Sequence, residues 1–370
     1  MINAVDYGAD LTGAAPIAPV LDYMRNQLGP YGGKFYFPAG VYNCDGAASI
    51  IQYPRPANAS TEFSITIEGD GPGATQFRCS DPNRSALRVY MRDNRHSFHM
   101  AGATFMATAP GAFGGLTLHN DASFADFQRN TISKVSFVGR NENGPVGYFQ
   151  TGLDIINACG NSISDCNFSG IPADIDHGTG IRISGEGETN PYRVSIYTDV
   201  TRCHWHSLGN AIIWDTYSQG LTVVQANVGV VGCGIYGAPG KIQNQLNVVG
   251  GCFDVRRYPA IFLRASVQTL ISCVLFILGD GGNDNMVAID LGPSTGNSIM
   301  GNTIQGASGN GHAGIKLNGA GSTIAGNYLS GLTYGIYADA GTQNVVEAAN
   351  NFDGITYQVV GPGAGGVTRR

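Results

Sequence analysis

The chain has 370 residues, of which 13% are charged, with 54 Gly, 16 Pro and a formal charge of −6 at pH 7. This composition excludes a disordered polyampholyte and a collagen, and an acidic chain without any block of Lys or Arg excludes nucleic acid as a partner, because phosphates demand clustered cations. No apolar run is long enough to cross a bilayer, and the N-terminus lacks the basic and apolar regions of a signal peptide, so neither membrane insertion nor a leader is expected.

Eight cysteines without compact spacing resemble neither a disulfide framework nor a CxxC zinc site, and most of them are expected as buried thiols. In chain order, residues 16–28 alone have helical character, with Val20, Leu21, Met24 and Leu28 near a 3.6 period. This segment is expected to cap the open N-terminal end of a strand stack, an edge that would otherwise invite aggregation.

From there a repeat takes over. One short strand recurs as GLTL at Gly115, GLDI at Gly152, GIRI at Gly180, AIIW at Ala211, GIYG at Gly234, AIFL at Ala260, AIDL at Ala288, GIKL at Gly314 and GIYA at Gly335. From Gly152 the intervals are 28, 31, 23, 26, 28, 26 and 21 residues, the mark of coils with variable loops. Amphipathic helices between the strands, which a globular α/β domain requires, are absent. The fold expected is an all-β, single-stranded right-handed parallel β-helix, with a cap over 1–60, coils over 61–358 and a tail over 359–370.

A second strand in each coil reads CNFSG at Cys166, NTIQG at Asn302, NYLSG at Asn327 and NNFDG at Asn350. Alternation then places Val135, Cys166, Cys203, Cys273, Asn302, Asn327 and Asn350 in one inward column, where buried Asn side chains satisfy one another as a ladder. Outward positions of the first strand read Asp154, Arg182, Ile213, Tyr236, Phe262, Asp290, Lys316 and Tyr337 from coil to coil. Two residues on, a parallel stripe reads Ile156, Ser184, Asp215, Ala238, Arg264, Gly292, Asn318 and Asp339. Aromatic faces between charges suit sugar rings, and Arg182, Tyr236, Phe262, Arg256, Arg257, Lys316 and Tyr337 are the expected substrate contacts.

The N-terminal segments Val5-Asp6-Tyr7-Gly8-Ala9-Asp10 and Gly32-Gly33-Lys34-Phe35-Tyr36-Phe37-Pro38-Ala39-Gly40-Val41-Tyr42 resemble the opening of the pectate-lyase-like β-helix superfamily, which includes phage tailspikes and polysaccharide lyases and hydrolases. Ile65-Thr66-Ile67-Glu68-Gly69-Asp70-Gly71-Pro72-Gly73-Ala74-Thr75 continues the match as a first full coil. The turn Leu11-Thr12-Gly13-Ala14-Ala15-Pro16 departs from the Asp-rich turn usual there. The resemblance implies the fold, a polysaccharide substrate and a homotrimer. It supplies no catalytic motif, since members place their acids differently on one scaffold.

Glycoside hydrolysis needs two carboxylates, roughly 5 to 9.5 Å apart. Asp215 is the first candidate, with Asp254, Asp290, Glu186 and Glu188 as partners; the last two lie in Gly185-Glu186-Gly187-Glu188-Thr189-Asn190-Pro191, an insertion expected to wall a groove beside Asp215. Elimination from a uronate needs a base and a cation, for which Arg264, Arg182, Arg256, Arg257, His204 and His206 are candidates. The repeat breaks at Cys203-His204-Trp205-His206 and at Gly251-Cys252-Phe253-Asp254. His-x-His has no identifiable third ligand, so no metal or other cofactor is expected. The function expected is a tailspike-like polysaccharide depolymerase, on a virion or outside a cell. The alternatives are a secreted bacterial lyase or hydrolase and a β-helix that grips glycan without cutting it.

Overall fold

A computed structural model describes residues 1–29, 31–46, 50–52, 62–92, 95–120, 129–139, 147–171, 175–187, 193–238, 243–279, 286–307 and 311–370. The Gly-Φ-x-Φ segments pair in parallel, each with the copy one coil before and one coil after. Their strands, among them Phe149–Ile156, Thr179–Ser184, Asn210–Trp214, Cys233–Gly237, Val287–Thr295, Ala313–Ala320 and Tyr334–Ala338, form a first sheet that runs the length of the solenoid. Pairing leads from Asp154 to Arg182, Ile213, Tyr236, Phe262, Asp290, Lys316 and Tyr337 in succession. The outward stripe of the first strand therefore has the expected register, and the chain is a right-handed parallel β-helix.

The sequence pattern separates two strands per coil, whereas each coil has three. Between the first sheet and the strands of the Asn-x-Φ-x-Gly type lies a middle sheet, with strands such as Cys159–Ser164, Leu270–Ser272, Ser298–Met300 and Thr323–Ala325. Several of these have three residues and one buried apolar side chain each, Ile271, Ile299 and Ile324, too short to display the alternation that identifies a strand. The third sheet carries Asn167–Ser169, His204–His206, Leu275–Leu278, Thr303–Gly306, Tyr328–Ser330 and Asn351–Asp353.

The corner between the second and third sheets is a single residue in the left-handed conformation, at Lys134, Asp165, Arg202, Gln225, Gly250, Cys273, Gly301, Gly326 and Ala349 in turn. Cys273 (φ 57) occupies this exposed corner and is not in the inward column, where Val274 stands instead and donates its N–H to Asn302 Oδ1. The slip is one residue, and alternation turns one residue into the opposite face. Cys273 is accordingly exposed and Cys252 partly so, while the other six cysteines are buried, in line with the expectation for most of them.

The interior is built by like residues meeting like. Phe77, Phe105, Phe137, Phe168 and Trp205 stack with centroids 5.3, 5.2, 4.9 and 5.5 Å apart, close to the ~4.8 Å spacing of hydrogen-bonded strands. Gly or Ala opens each first-sheet strand because this stack fills the space beyond it: a Cβ on Gly180 would lie 2.5 Å from Trp205 Cδ1. Further along, Asn302, Asn327 and Asn350 form the expected ladder. Asn327 Oδ1 accepts from the N–H and Nδ2 of Asn302, and its Nδ2 donates to Ile299 O and Asn350 Oδ1.

The helix is Ala18–Asn26, with Val20, Leu21 and Met24 buried against the first coil. Within 1–60, Gly32–Phe37 already pairs with Phe63–Gly69. Within 359–370, the end of Tyr357–Val360 and all of Val367–Arg369 pair with Tyr334–Ala338 and Val345–Ala348, so that segment adds strands to the last coil.

Asn327→Ala removes two donors and an acceptor from a buried ladder, and is expected to cost about 2–4 kcal/mol. Thermal and urea unfolding check this, with exposed Asn351→Ala as a control within about 0.5 kcal/mol of the parent.

Candidate functional site

On the outer face of the first sheet the stripe brings together Asp154, Arg182 and Asp215. Arg182 follows Asp154 by one coil, and Asp215, two residues past Ile213, follows by two. Arg182 Nε lies 3.9 Å from Asp154 Oδ1 and 3.4 Å from Asp215 Oδ2. Sharing one nitrogen keeps those two oxygens no more than about 7 Å apart, within reach of one glycosidic bond, whose flanking carboxylates stand roughly 5 to 9.5 Å apart in glycosidases.

The two acids differ in setting. Asp154 is only 5% exposed, and its Oδ1 accepts no hydrogen bond. Burial pushes its pKa up and the nearby Asp215 adds to the rise, against the opposing charges of Arg182 and Arg88. Asp215 is more open, and its Oδ1 accepts the Thr216 N–H at 2.7 Å. One carboxyl is buried with its pKa raised, and the other is more open and bonded to an amide; acid/base chemistry uses such a difference of setting between two acids.

A second group walls this floor. Arg88 Nη2 donates to His119 Nδ1 at 3.2 Å, and His119 Nε2 lies 3.5 Å from Glu186 Oε1. Glu186 is gripped further by Asn157 Nδ2 at 2.9 Å and Arg193 Nη1 at 3.1 Å. Burial acts to raise Glu186, but Asn157, His119 and Arg193 outweigh it and hold its carboxyl below the ordinary range. Glu186 is thus a bound anion of the wall, unsuited to donate a proton. Glu188 lies outside the described residues.

The remaining candidates divide by sheet. His204, His206 and Asp254 are on the third sheet, away from the Asp215 stripe: His204 contacts Asn227 at 3.3 Å, partial burial lowers His206, and Asp254 is paired with Arg256 at 2.9 Å. Arg257 pairs with Asp176 at the start of the first sheet, beside Tyr258. Asp290 and Lys316 lie on the first-sheet stripe five coils beyond Asp154 and Arg182. Burial raises Asp290, Lys316 opposes, Asp339 adds and Arg264 opposes. Between the two groups Tyr236 and Phe262 are 5.7 Å apart, with Arg264 4.6 Å over the Phe262 ring. Tyr337 follows Lys316 on the stripe. Among the described residues no three His, Cys, Asp or Glu side chains form a metal-binding group.

Sequence reasoning placed Asp154 on the stripe without singling it out, and missed Arg88, His119, Asn157 and Arg193. The signal for two of them was present: Ala86-Leu87-Arg88-Val89-Tyr90 and Gly115-Leu116-Thr117-Leu118-His119 obey the first-strand rule, and they pair in register.

No protein-family model and no curated protein sequence matches the chain. Solved structures match it in fold. The A-module of a mannuronan C-5 epimerase from Azotobacter vinelandii is similar over 100% of this chain and 98% of that one, at 14% identity and a TM-score of 0.72. The surface adhesin PfbA of Streptococcus pneumoniae is similar over 97% and 93%, at 14% identity and 0.65. The tailspike of the E. coli bacteriophage HK620, solved with a pentasaccharide, is similar over 98% and 78%, at 11% identity and 0.58. These likenesses concern the fold.

A buried acid with a raised pKa favours the native state at low pH and loses that advantage as pH rises from its ordinary value near 4 through its folded value. Asp154→Asn removes the cost of ionising the buried group. Its melting temperature should exceed the parent's at pH 7 and match or fall below it near pH 3, as scanning calorimetry across pH would reveal.

Proposed function

We propose that the protein is a polysaccharide depolymerase that hydrolyses glycosidic bonds over the Asp154–Arg182–Asp215 group. The observation that carries this is one buried carboxyl, whose pKa burial raises, no more than about 7 Å from a second, more open carboxyl, close enough for the two to act on one glycosidic bond. Asp154 gives its proton to the departing glycosidic oxygen as the bond from C1 breaks. Water forms the new bond to C1 and yields its proton to Asp215. The products are a shorter chain and a new reducing end. Arg182 positions both acids, and the Arg88–His119–Glu186 wall holds one side of the groove.

Elimination is less well served, because it needs a cation whose charge faces a uronate carboxylate, and the charge of Arg182 is already offset by two carboxyls, 3.9 and 3.4 Å from its Nε. The fold-level likeness to a pentasaccharide-bound tailspike supports a glycan substrate. We assign the chain to a virion tail or the extracellular side, as a homotrimer. A monomer in sedimentation at working concentration rejects that assembly.

The test is incubation with a panel of bacterial capsular and acidic polysaccharides, following reducing ends and the ultraviolet absorbance of unsaturated sugars. Reducing ends without unsaturation are expected, and Asp154→Asn and Asp215→Asn should each lower kcat about 10²–10⁴-fold. The alkaline limb of the pH profile should disappear in the residual activity of Asp154→Asn, since that limb reports loss of the acid's proton. Unsaturated products would reassign the protein as a lyase. Binding without any product would make it a glycan-gripping protein.

A further inference from the structure

The Asp154–Arg182–Asp215 arrangement occurs twice. Asp290 stands on the first-strand stripe, Lys316 follows it by one coil, and Asp339, two residues past Tyr337, follows by two. Lys316 Nζ lies 3.8 Å from Asp290 Oδ2 and 3.6 Å from Asp339 Oδ2. The gradation of exposure is the same in both triplets: the first acid is the least exposed, at 7% and 15% of its side chain, and the cation the most, at 40% and 35%.

The charges stand 3.4 to 3.9 Å apart in the two triplets, longer than the usual N–H···O hydrogen bond. No other described side chain hydrogen-bonds to Asp290, Lys316 or Asp339, which leaves hydrogen-bonding capacity at a partly open surface. A sugar hydroxyl both donates and accepts, and a mixed set of carboxylates and an ammonium suits it. Tyr337, one coil after Lys316, offers an apolar face of the kind pyranose rings stack on, and Phe262, one coil before Asp290, carries Arg264 over its ring. Five coil rises separate the triplets, about 24 Å, and Tyr236 and Phe262 lie between them.

We propose that Asp290, Lys316 and Asp339 form a distal anchoring subsite for the same polysaccharide chain, which lies along the solenoid axis from Asp154 across Tyr236 and Phe262. The inference rests on the cleavage reading for its consequence in rate but not for its consequence in binding. At roughly one sugar unit per coil rise, a chain must be about five units long to reach both groups.

The probes are size-graded fragments, from about two to about ten units, of each polysaccharide in the panel. Binding is measured by calorimetry on Asp154→Asn, and turnover on the parent. Affinity is expected to rise steeply at about five units and then level off. Lys316→Met and Asp339→Asn should remove that rise, weakening long fragments about tenfold or more through KM, with kcat unchanged and short fragments unaffected. The two readings fail separately. Length-dependent binding lost in Lys316→Met, in a protein that cleaves nothing, keeps the anchor and removes the hydrolase. Cleavage with no length dependence, or an equal effect of Lys316→Met on short and long fragments, overturns the anchor and leaves the hydrolase. A panel that shows no binding at all removes both.

Discussion

The structure depends on the requirement that every coil present to its neighbours the residue its neighbours can use, at one strand spacing. A phenylalanine over a phenylalanine fills the interior without a gap, and an asparagine over an asparagine satisfies a buried amide that would be costly alone. Because each coil is bounded above and below by copies of itself, the core has no layer that a single residue can complete. The Phe77 to Trp205 stack and the Asn302 to Asn350 ladder are two solutions of that one constraint. The Gly and Ala that open the first-sheet strands are its consequence on the opposite wall.

Outside, the same constraint acts as a ruler. Side chains on the first-sheet stripe are held at fixed steps by main-chain pairing, so a carboxyl, a cation and a second carboxyl on successive coils hold nearly constant distances wherever they occur. That is why Asp154–Arg182–Asp215 and Asp290–Lys316–Asp339 agree to within a few tenths of an ångström in their charge separations. A globular fold needs loops from several places to assemble such a pair; here spacing is inherited from the backbone, and only residue identity has to be chosen.

The first sheet was legible in the sequence because its strands carry two inward apolar residues behind a Gly or Ala, a pattern strong enough to survive intervals of 21 to 31 residues. The stripe from Asp154 to Tyr337 follows at once from that register. The middle sheet was not legible, since strands such as Ser298–Met300 bury one side chain each and leave no period to detect. The misplacement of Cys273 has a related cause: the left-handed corner is usually Gly or a polar residue, and a cysteine there imitates the inward cysteines of earlier coils. Chemistry was half legible. Asp215 was reachable from its stripe, but the burial that distinguishes Asp154 from other outward acids comes from how the coils close around it, and no local pattern records it. His206 and Asp254 drew attention as breaks in the repeat, and they belong to a different face.

Burial of Asp154 also bears on why the acid stands on a strand. An outward position on a β-helix is ordinarily solvated, and a solvated Asp would be ionised at neutral pH and useless as a proton donor. Arg182 and Arg88 pull toward the charged form, and desolvation, with Asp215 beside it, outweighs both, since the net shift is upward. The fold can sustain that cost because Asp154 sits in the long strand Phe149–Ile156, paired on both sides in register with Ala112–Asn120 and Thr179–Ser184. The strand of Arg182 is paired on both sides as well, and that side chain is 40% exposed, so the pairing holds Asp154 in place while the side chains around it provide the cover. Rigidity of the stack, which began as a condition for filling the interior, thereby also holds one surface carboxyl under that cover.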